Sequence, residues 1–296
     1  MQYFLQLLVI GISIGFLYAL IALGISLIYT GLDIVHFAHG EFYTIGGFVA
    51  VFLYTSMGMP FALAMIGAML ALAALGILVE RVFYRPLTYG GGGYTVAGMG
   101  MVISGFGMGL TLQNIAILIW GALPRELPVR LGPPVTILDV QLPRTYLLVV
   151  AVSLFLMAVL HVFLSHTKQG RAMRAVAHNK DTAALMGINV SVMVSIVFGL
   201  GCALAAAGGV LAAPITFVAV QTGYLILTKG FASAVVGGFG SLPGAVAGGL
   251  IVGVVETLAG GYLSGSYKDV YAFALMIGVL IVRPSGFFGR HVKVKA

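Results

Sequence analysis

Between Phe4 and Tyr29 the chain contains no Asp, Glu, Lys or Arg. A helix needs roughly 20 apolar residues to cross the hydrocarbon core of a bilayer, so this one run is already long enough. Seven more apolar stretches follow, at about 42–56, 61–79, 95–120, 146–164, 191–213, 231–258 and 271–282. In lipid every backbone N–H and C=O must be paired within the protein, which leaves only helices and closed barrels as spanning structures. Segments of this length point to helices. Hydrophobic residues make up 60% of the chain and charged residues 8%, against roughly a quarter charged in soluble domains. The expected fold is all-α: a polytopic transmembrane helical bundle forming a single domain over 1–296. Its 42 glycines suit helices that pack backbone to backbone. The first run has no basic residue before it and a core longer than that of a cleavable signal, so it is expected to stay as a membrane span.

Two of the eight segments are unlike the rest. The second has only about 15 apolar residues, and the seventh is interrupted by Gly-Phe-Gly-Ser-Leu-Pro-Gly at 238–244. Both are expected to be broken or re-entrant, as segments lining a transport path often are. Basic residues mark the cytoplasmic side: Glu80–Arg85, the 165–189 loop, and Arg290, Lys293 and Lys295 at the C-terminus. Gly90–Gly93 reads as a flexible link, and the stretch 122–146, with five prolines, as an external loop. A seventh segment that starts and ends outside would leave the tail inside. The same device at Asp33–Ser56 would put the N-terminus inside too. The order of long helix, short segment and second span at 4–79 recurs at 191–282, a pattern echo without matching letters.

The net charge of +7 comes from lysines and arginines lying mostly between apolar segments, which points to membrane orientation and not to nucleic acid. Cys202 is the only cysteine, so no intrachain disulfide can form. There is no GxxxxGK[ST] nucleotide loop and no HExxH metal motif, and the few carboxylates are scattered. Nothing indicates an enzyme, a bound metal or a cofactor.

Three stretches carry the candidate chemistry. Thr167–Gly187 is polar between two apolar spans; as a helix from Gly170 it places Arg171, Arg174 and His178 on one face and Met173, Val176 and Ala177 on another. Asn179 to Asp181 can cap a second helix start, and Gly187 fits just past its end. This is either a docking handle or a basic loop serving topology alone. Asp33–Phe42 gathers His36, His39, Gly40 and Glu41 beside an apolar core. It can line a path, with Gly40 allowing a kink, or be an interfacial turn with a capping carboxylate. The third stretch holds Gly238, Gly240, Ser241, Pro243 and Gly244, where a helix break frees backbone groups. Glu80, Lys229 and Glu256 lie near segment ends, where snorkelling to the interface is expected.

GRAMRAVAHNKDTAALMGINV at 170–190, HFAHGEF at 36–42 and KGFASAVVGGFGSLPGAVAGG at 229–249 together resemble the membrane permeases of branched-chain amino acid ABC importers, the LivH type. The resemblance runs from about Phe4 to Gly286. It implies a multi-pass subunit of the bacterial inner membrane working with a second, similar permease, two ATPase subunits and a periplasmic substrate-binding protein. ATP would be bound by those partners. By the same resemblance Gly170–Gly187 is the loop that seats in the ATPase. His36 departs from the Asn of many relatives. Related permeases for urea or short amides share similar motifs, and an ATP-independent transporter or channel is the rival from another class.

Overall fold

The computed structural model describes residues 1–89, 94–129, 131–137 and 140–289. The glycine link at 90–93 and the basic residues Arg290, Lys293 and Lys295 lie outside them. The described chain is a bundle of helices: α1 (Gln2–Leu32), α2 (His39–Val51), α3 (Phe61–Val79), α4 (Arg85–Tyr89), α5 (Tyr94–Trp120), α6 (Arg144–His166), α7 (Lys168–His178), α8 (Lys180–Leu185), α9 (Val190–Ala212), α10 (Thr222–Gly237), α11 (Leu242–Tyr262) and α12 (Lys268–Val282). Among the described residues, seven helical stretches are long and apolar enough to cross a membrane. Neither α2 nor α10 reaches that length. The apolar stretch read as 231–258 is two helices, α10 and α11, joined by a turn at 238–241.

The centre of the bundle is α1, buried almost continuously from Phe16 to Ile28. It is built to be approached. A Cβ on Gly11 would sit 3.0 Å from the Val254 Cα, and one on Gly253 would overlap the backbone of Gly15. Without side chains at these positions α1 and α11 lie backbone against backbone, where dispersion contacts replace the hydrophobic drive that lipid cannot supply. On its other side Gly24 meets the Gly201 carbonyl of α9, and Gly201 meets the Gly24 carbonyl in return. The short helices repeat this reciprocity: Gly40 at the start of α2 abuts Gly223 at the start of α10, each against the other's carbonyl.

These pairs relate two halves of the chain. In α1–α2–α3 and in α9–α10–α11 a long helix is followed by a short one and then by another span. α1 packs on α11 as α9 packs on α3. α1 and α9 run antiparallel, since Gly31 meets Val197 while Ile21 meets Gly208, so the two triplets enter in opposite directions. An inverted pair of this kind is the architecture that the sequence's pattern echo only hinted at.

A π-helical turn ends both the α2 rod, at Phe52–Ser56, and the α3 rod, at Glu80–Tyr84. Beyond α5, the proline-rich segment carries a small hairpin, β1 (Val135–Ile137) with β2 (Val140–Leu142), in antiparallel register Val135↔Leu142. Arg125 and Val218 exchange two backbone hydrogen bonds of 2.9 and 2.8 Å, which folds this segment over the α9–α10 connection.

The C-terminal end of α1 lies beside α8, because the Asp33 carboxylate pairs with Lys180 at 2.6 Å. This corrects the expectation that Asp33–Ser56 begins and ends outside: its first residue sits at the basic loop. A helix of 31 residues is about 46 Å long, so Met1 lies at the opposite end. The α10–α11 turn is at the basic-loop end, with Phe239 edge-on to Tyr29 at 4.8 Å. With Cys202 buried, a membrane-impermeant thiol reagent should label Gln2→Cys in intact cells and should label Ala177→Cys only after permeabilisation. Labelling of Ala177→Cys from outside would invert this orientation.

Candidate functional site

The α7–α8 hairpin is held by its own caps. The Thr167 hydroxyl accepts from the Gly170 N–H at 2.9 Å, Asn179 Oδ1 from Thr182 N–H at 2.8 Å, and Asn189 Oδ1 from Val192 N–H at 3.1 Å where α9 begins. Gly170 lets α7 bend against Phe163 and Leu164 of α6, where a Cβ would overlap backbone. Gly187, at φ 80°, ends α8. Of the two faces read from the sequence, Met173 and Val176 are turned into the bundle, whereas Arg171, Arg174, Ala177, His178 and Asp181 are exposed. Sequence reasoning missed the end of α8: Leu185 is 88% and Met186 78% exposed. Two adjacent large apolar side chains exposed at a helix end are a feature of contact surfaces.

Leaving α1, the chain turns at Asp33–Ala38 and starts α2 inside the bundle. His36, His39, Gly40 and Glu41 are all buried. His36 is enclosed by the rings of Phe42, Tyr84 and Phe198, and its Nδ1 lies 2.7 Å from the Tyr84 hydroxyl. His39 packs over Gly24, and neither of its ring nitrogens has a hydrogen-bond partner among the described residues. Glu41 sits in the first turn of α2 facing Gly223, and its Oε2 has no hydrogen-bond partner among the described residues. Gly40 does not kink the chain; it lies within α2 and permits the contact with Gly223. The N-terminal ends of two helices thus meet around one carboxylate.

The 238–244 stretch makes a different structure. Gly238 (φ 104°) and Gly240 (φ 79°) form the turn, and Ser241 caps α11 by accepting from Gly244 N–H at 3.2 Å, with Pro243 in the first turn. The last carbonyls of α10 are met by the segment after α12: Phe287 N–H donates to Val236 O at 3.0 Å and Phe288 N–H to Gly237 O at 2.9 Å. A Cβ on Gly238 would strike the Gly289 backbone. This group borders Tyr29 and Thr30 of α1 while His39 borders Gly24, and no hydrogen bond among the described residues joins the two groups.

The three charged residues expected to snorkel are instead buried and paired. Lys229 (8% exposed) binds Glu256 (5% exposed) at 2.6 Å and Asp269 at 2.7 Å, and Tyr18 donates to Glu256 Oε2 at 2.9 Å. One polar knot therefore ties α1, α10, α11 and α12. Glu80 takes two hydrogen bonds from Arg85, at 3.2 and 3.0 Å, and one from the Ser195 hydroxyl at 2.7 Å. The spacing of five residues between Glu80 and Arg85 matches the wider π-helical turn that carries them. Among the described residues, no group of three His, Cys, Asp or Glu side chains could hold a metal.

A helical bundle with paired, opposed helix triplets and buried half-helices is the framework of a membrane transport protein. Residues 7–280 match the family described as branched-chain amino acid transport system / permease component, and the chain belongs to that family. It is a multi-pass permease of the inner membrane. The chain is 36% identical to the high-affinity branched-chain amino acid transport system permease protein LivH of Salmonella typhimurium, over 97% of this chain and 96% of the relative. The identity to the high-affinity branched-chain amino acid transport system permease protein BraD of Pseudomonas aeruginosa is also 36%, with the same coverage. A solved structure, PsaBC from Streptococcus pneumoniae in complex with Fab, superposes with a TM-score of 0.52 at 14% identity, covering 100% of this chain and 96% of that one. At that identity the likeness concerns the fold.

The Lys229 knot makes a thermal prediction. Lys229→Met leaves Glu256 buried beside Tyr18 with no cation and should cost about 3 kcal/mol or more of stability. Adding Glu256→Gln should restore most of the loss, read as the unfolding temperature in detergent.

Proposed function

We propose that this chain is the membrane permease subunit of an ATP-driven importer for branched-chain amino acids delivered by a periplasmic binding protein. The observation that carries the reading is similarity to branched-chain amino acid permeases along nearly the whole of both chains. The assembly would hold a second homologous permease and two ATPase subunits, which bind and hydrolyse ATP. A chain without a nucleotide loop but with a capped hairpin presenting Arg171, Arg174, His178, Leu185 and Met186 supports an energy source on another subunit. Gly170 and Gly187 set the bends of that hairpin, and Asp181 lies in the first turn of α8.

The path runs by His36, His39, Gly40 and Glu41, where the N-termini of α2 and α10 meet. Helix N-termini suit the solute carboxylate, Glu41 its ammonium, and the apolar walls its side chain. Gly238, Gly240, Ser241, Pro243 and Gly244 form a gate whose freed carbonyls are covered from the C-terminal side. A permease for urea or short amides has no support from the named relatives.

Competition decides the solute. Uptake of labelled leucine by cells carrying the full complex should be displaced by isoleucine and valine and not by urea; displacement by urea alone would refute the assignment. The hairpin has its own test. Arg174→Glu and Leu185→Glu should each abolish co-purification of the ATPase while the permease stays in the membrane. Normal association and uptake in both variants would remove the hairpin from that role.

A further inference from the structure

We infer that the α1–α2 turn, residues 33–38, is the member through which movement of the α7–α8 hairpin reaches the start of α2, with Asp33, Lys180, Tyr84 and His36 as positioning residues; this rests on the importer reading above. The turn is gripped at both ends, and both grips lead back to the hairpin.

The first grip is at Asp33. Among the described residues it is the one non-glycine with a positive φ, 59°. Asp tolerates the left-handed region better than most residues, though an L side chain is still strained there. Its N–H donates to Tyr29 O at 2.8 Å and closes α1, while its carboxylate reaches Lys180 Nζ at 2.6 Å, 147 residues away. Lys180 is the first residue of α8. The second grip is at His36, whose Nδ1 meets the Tyr84 hydroxyl at 2.7 Å. Tyr84 stands on the π-helical turn that Glu80 and Arg85 anchor to α9: the Ser195 hydroxyl donates to Glu80 at 2.7 Å, and Arg85 Nη2 lies 2.7 Å from the Ser195 hydroxyl. α9 follows α8 directly through residues 186–189. One grip therefore belongs to α8 and the other to the helix it leads into.

What the turn carries is α2. His39 N–H donates to His36 O at 3.1 Å and Glu41 N–H to Ala38 O at 3.0 Å, so the turn and the first turn of α2 are hydrogen-bonded into one piece. A displacement of the hairpin applied at Asp33 and at His36 moves His39, Gly40 and Glu41 with it, against Gly24 and Gly223. The Asp33 carboxylate is largely in water, with a side-chain exposure of 72%. An ion pair so exposed adds little to stability, which separates transmission from packing.

The test uses the assembled transporter reconstituted with its ATPase and binding-protein partners, and measures leucine taken up per ATP hydrolysed. Asp33→Asn keeps a residue tolerant of the left-handed backbone and removes the charge; Lys180→Met removes the cation and keeps the stem. Each should lower the ratio about 3-fold, the scale of one exposed ion pair, with an unchanged amount of assembled complex. The double variant should be no worse than either single, because both remove the same link. Tyr84→Phe should lower the ratio independently. Unchanged ratios in the singles, or a double-variant loss of about 9-fold from two multiplying effects, would overturn the inference. So would a normal ratio in Tyr84→Phe. A wild-type complex whose uptake does not depend on hydrolysis would instead overturn the importer reading and this inference with it.

Discussion

Backbone-to-backbone contact is the constraint on which this fold depends. Lipid offers no hydrophobic reward for bringing helices together, so association rests on close packing and on polar groups that find each other. Gly24 against Gly201, Gly40 against Gly223, and Gly11 and Gly15 against α11 each place main chain where any side chain would hold the helices apart. The two reciprocal pairs lie where the opposed triplets face each other. Widening either contact would separate the halves and expose the start of α2, whose backbone has no lipid-compatible alternative.

The same constraint explains how a bundle with interrupted helices persists. Each break is answered locally: Ser241 caps α11, Phe287 and Phe288 cover the last carbonyls of α10, and Asp33 closes α1 by its N–H. Charges inside the bundle are answered by pairing, at Lys229 with Glu256 and at Glu80 with Arg85. Among the described residues, the buried polar atoms without a hydrogen-bond partner include both ring nitrogens of His39 and Glu41 Oε2 at the start of α2, and others at Ser26, His36, Ser153 and Asp269, the last ion-paired with Lys229. Polar groups left unpaired inside a membrane protein are costly, and those at the start of α2 support the proposed path.

Much of this was legible in the chain itself. Apolar length marks the spans, Asn179 announces the start of the hairpin's second helix, and Gly238–Gly244 announces a break; the first hairpin helix begins at Lys168, capped by Thr167, two residues before the expected Gly170. What stayed hidden depends on tertiary proximity. Lys229 and Glu256 are on different helices, and each by itself looks like a residue reaching for the interface. Glu80 and Arg85 have a five-residue spacing that makes no pair on an ordinary α-helix and does so only on the wider turn. The start of the 33–56 segment was expected outside because the positive-charge rule takes nothing from an acidic residue such as Asp33; its pairing with Lys180 is visible only in three dimensions. Between the hairpin's two faces the sequence had no basis to choose, since a partner could meet either the basic face or the apolar one; packing of Met173 and Val176 on the bundle leaves the basic face exposed.

We propose that this chain is a passive framework that moves only when the hairpin is moved from outside. Purified alone into vesicles, it should give no concentrative leucine uptake with or without ATP, and uptake should appear when the second permease, the ATPase subunits and the binding protein are added with ATP. Equal uptake by the isolated chain, independent of ATP, would contradict the account.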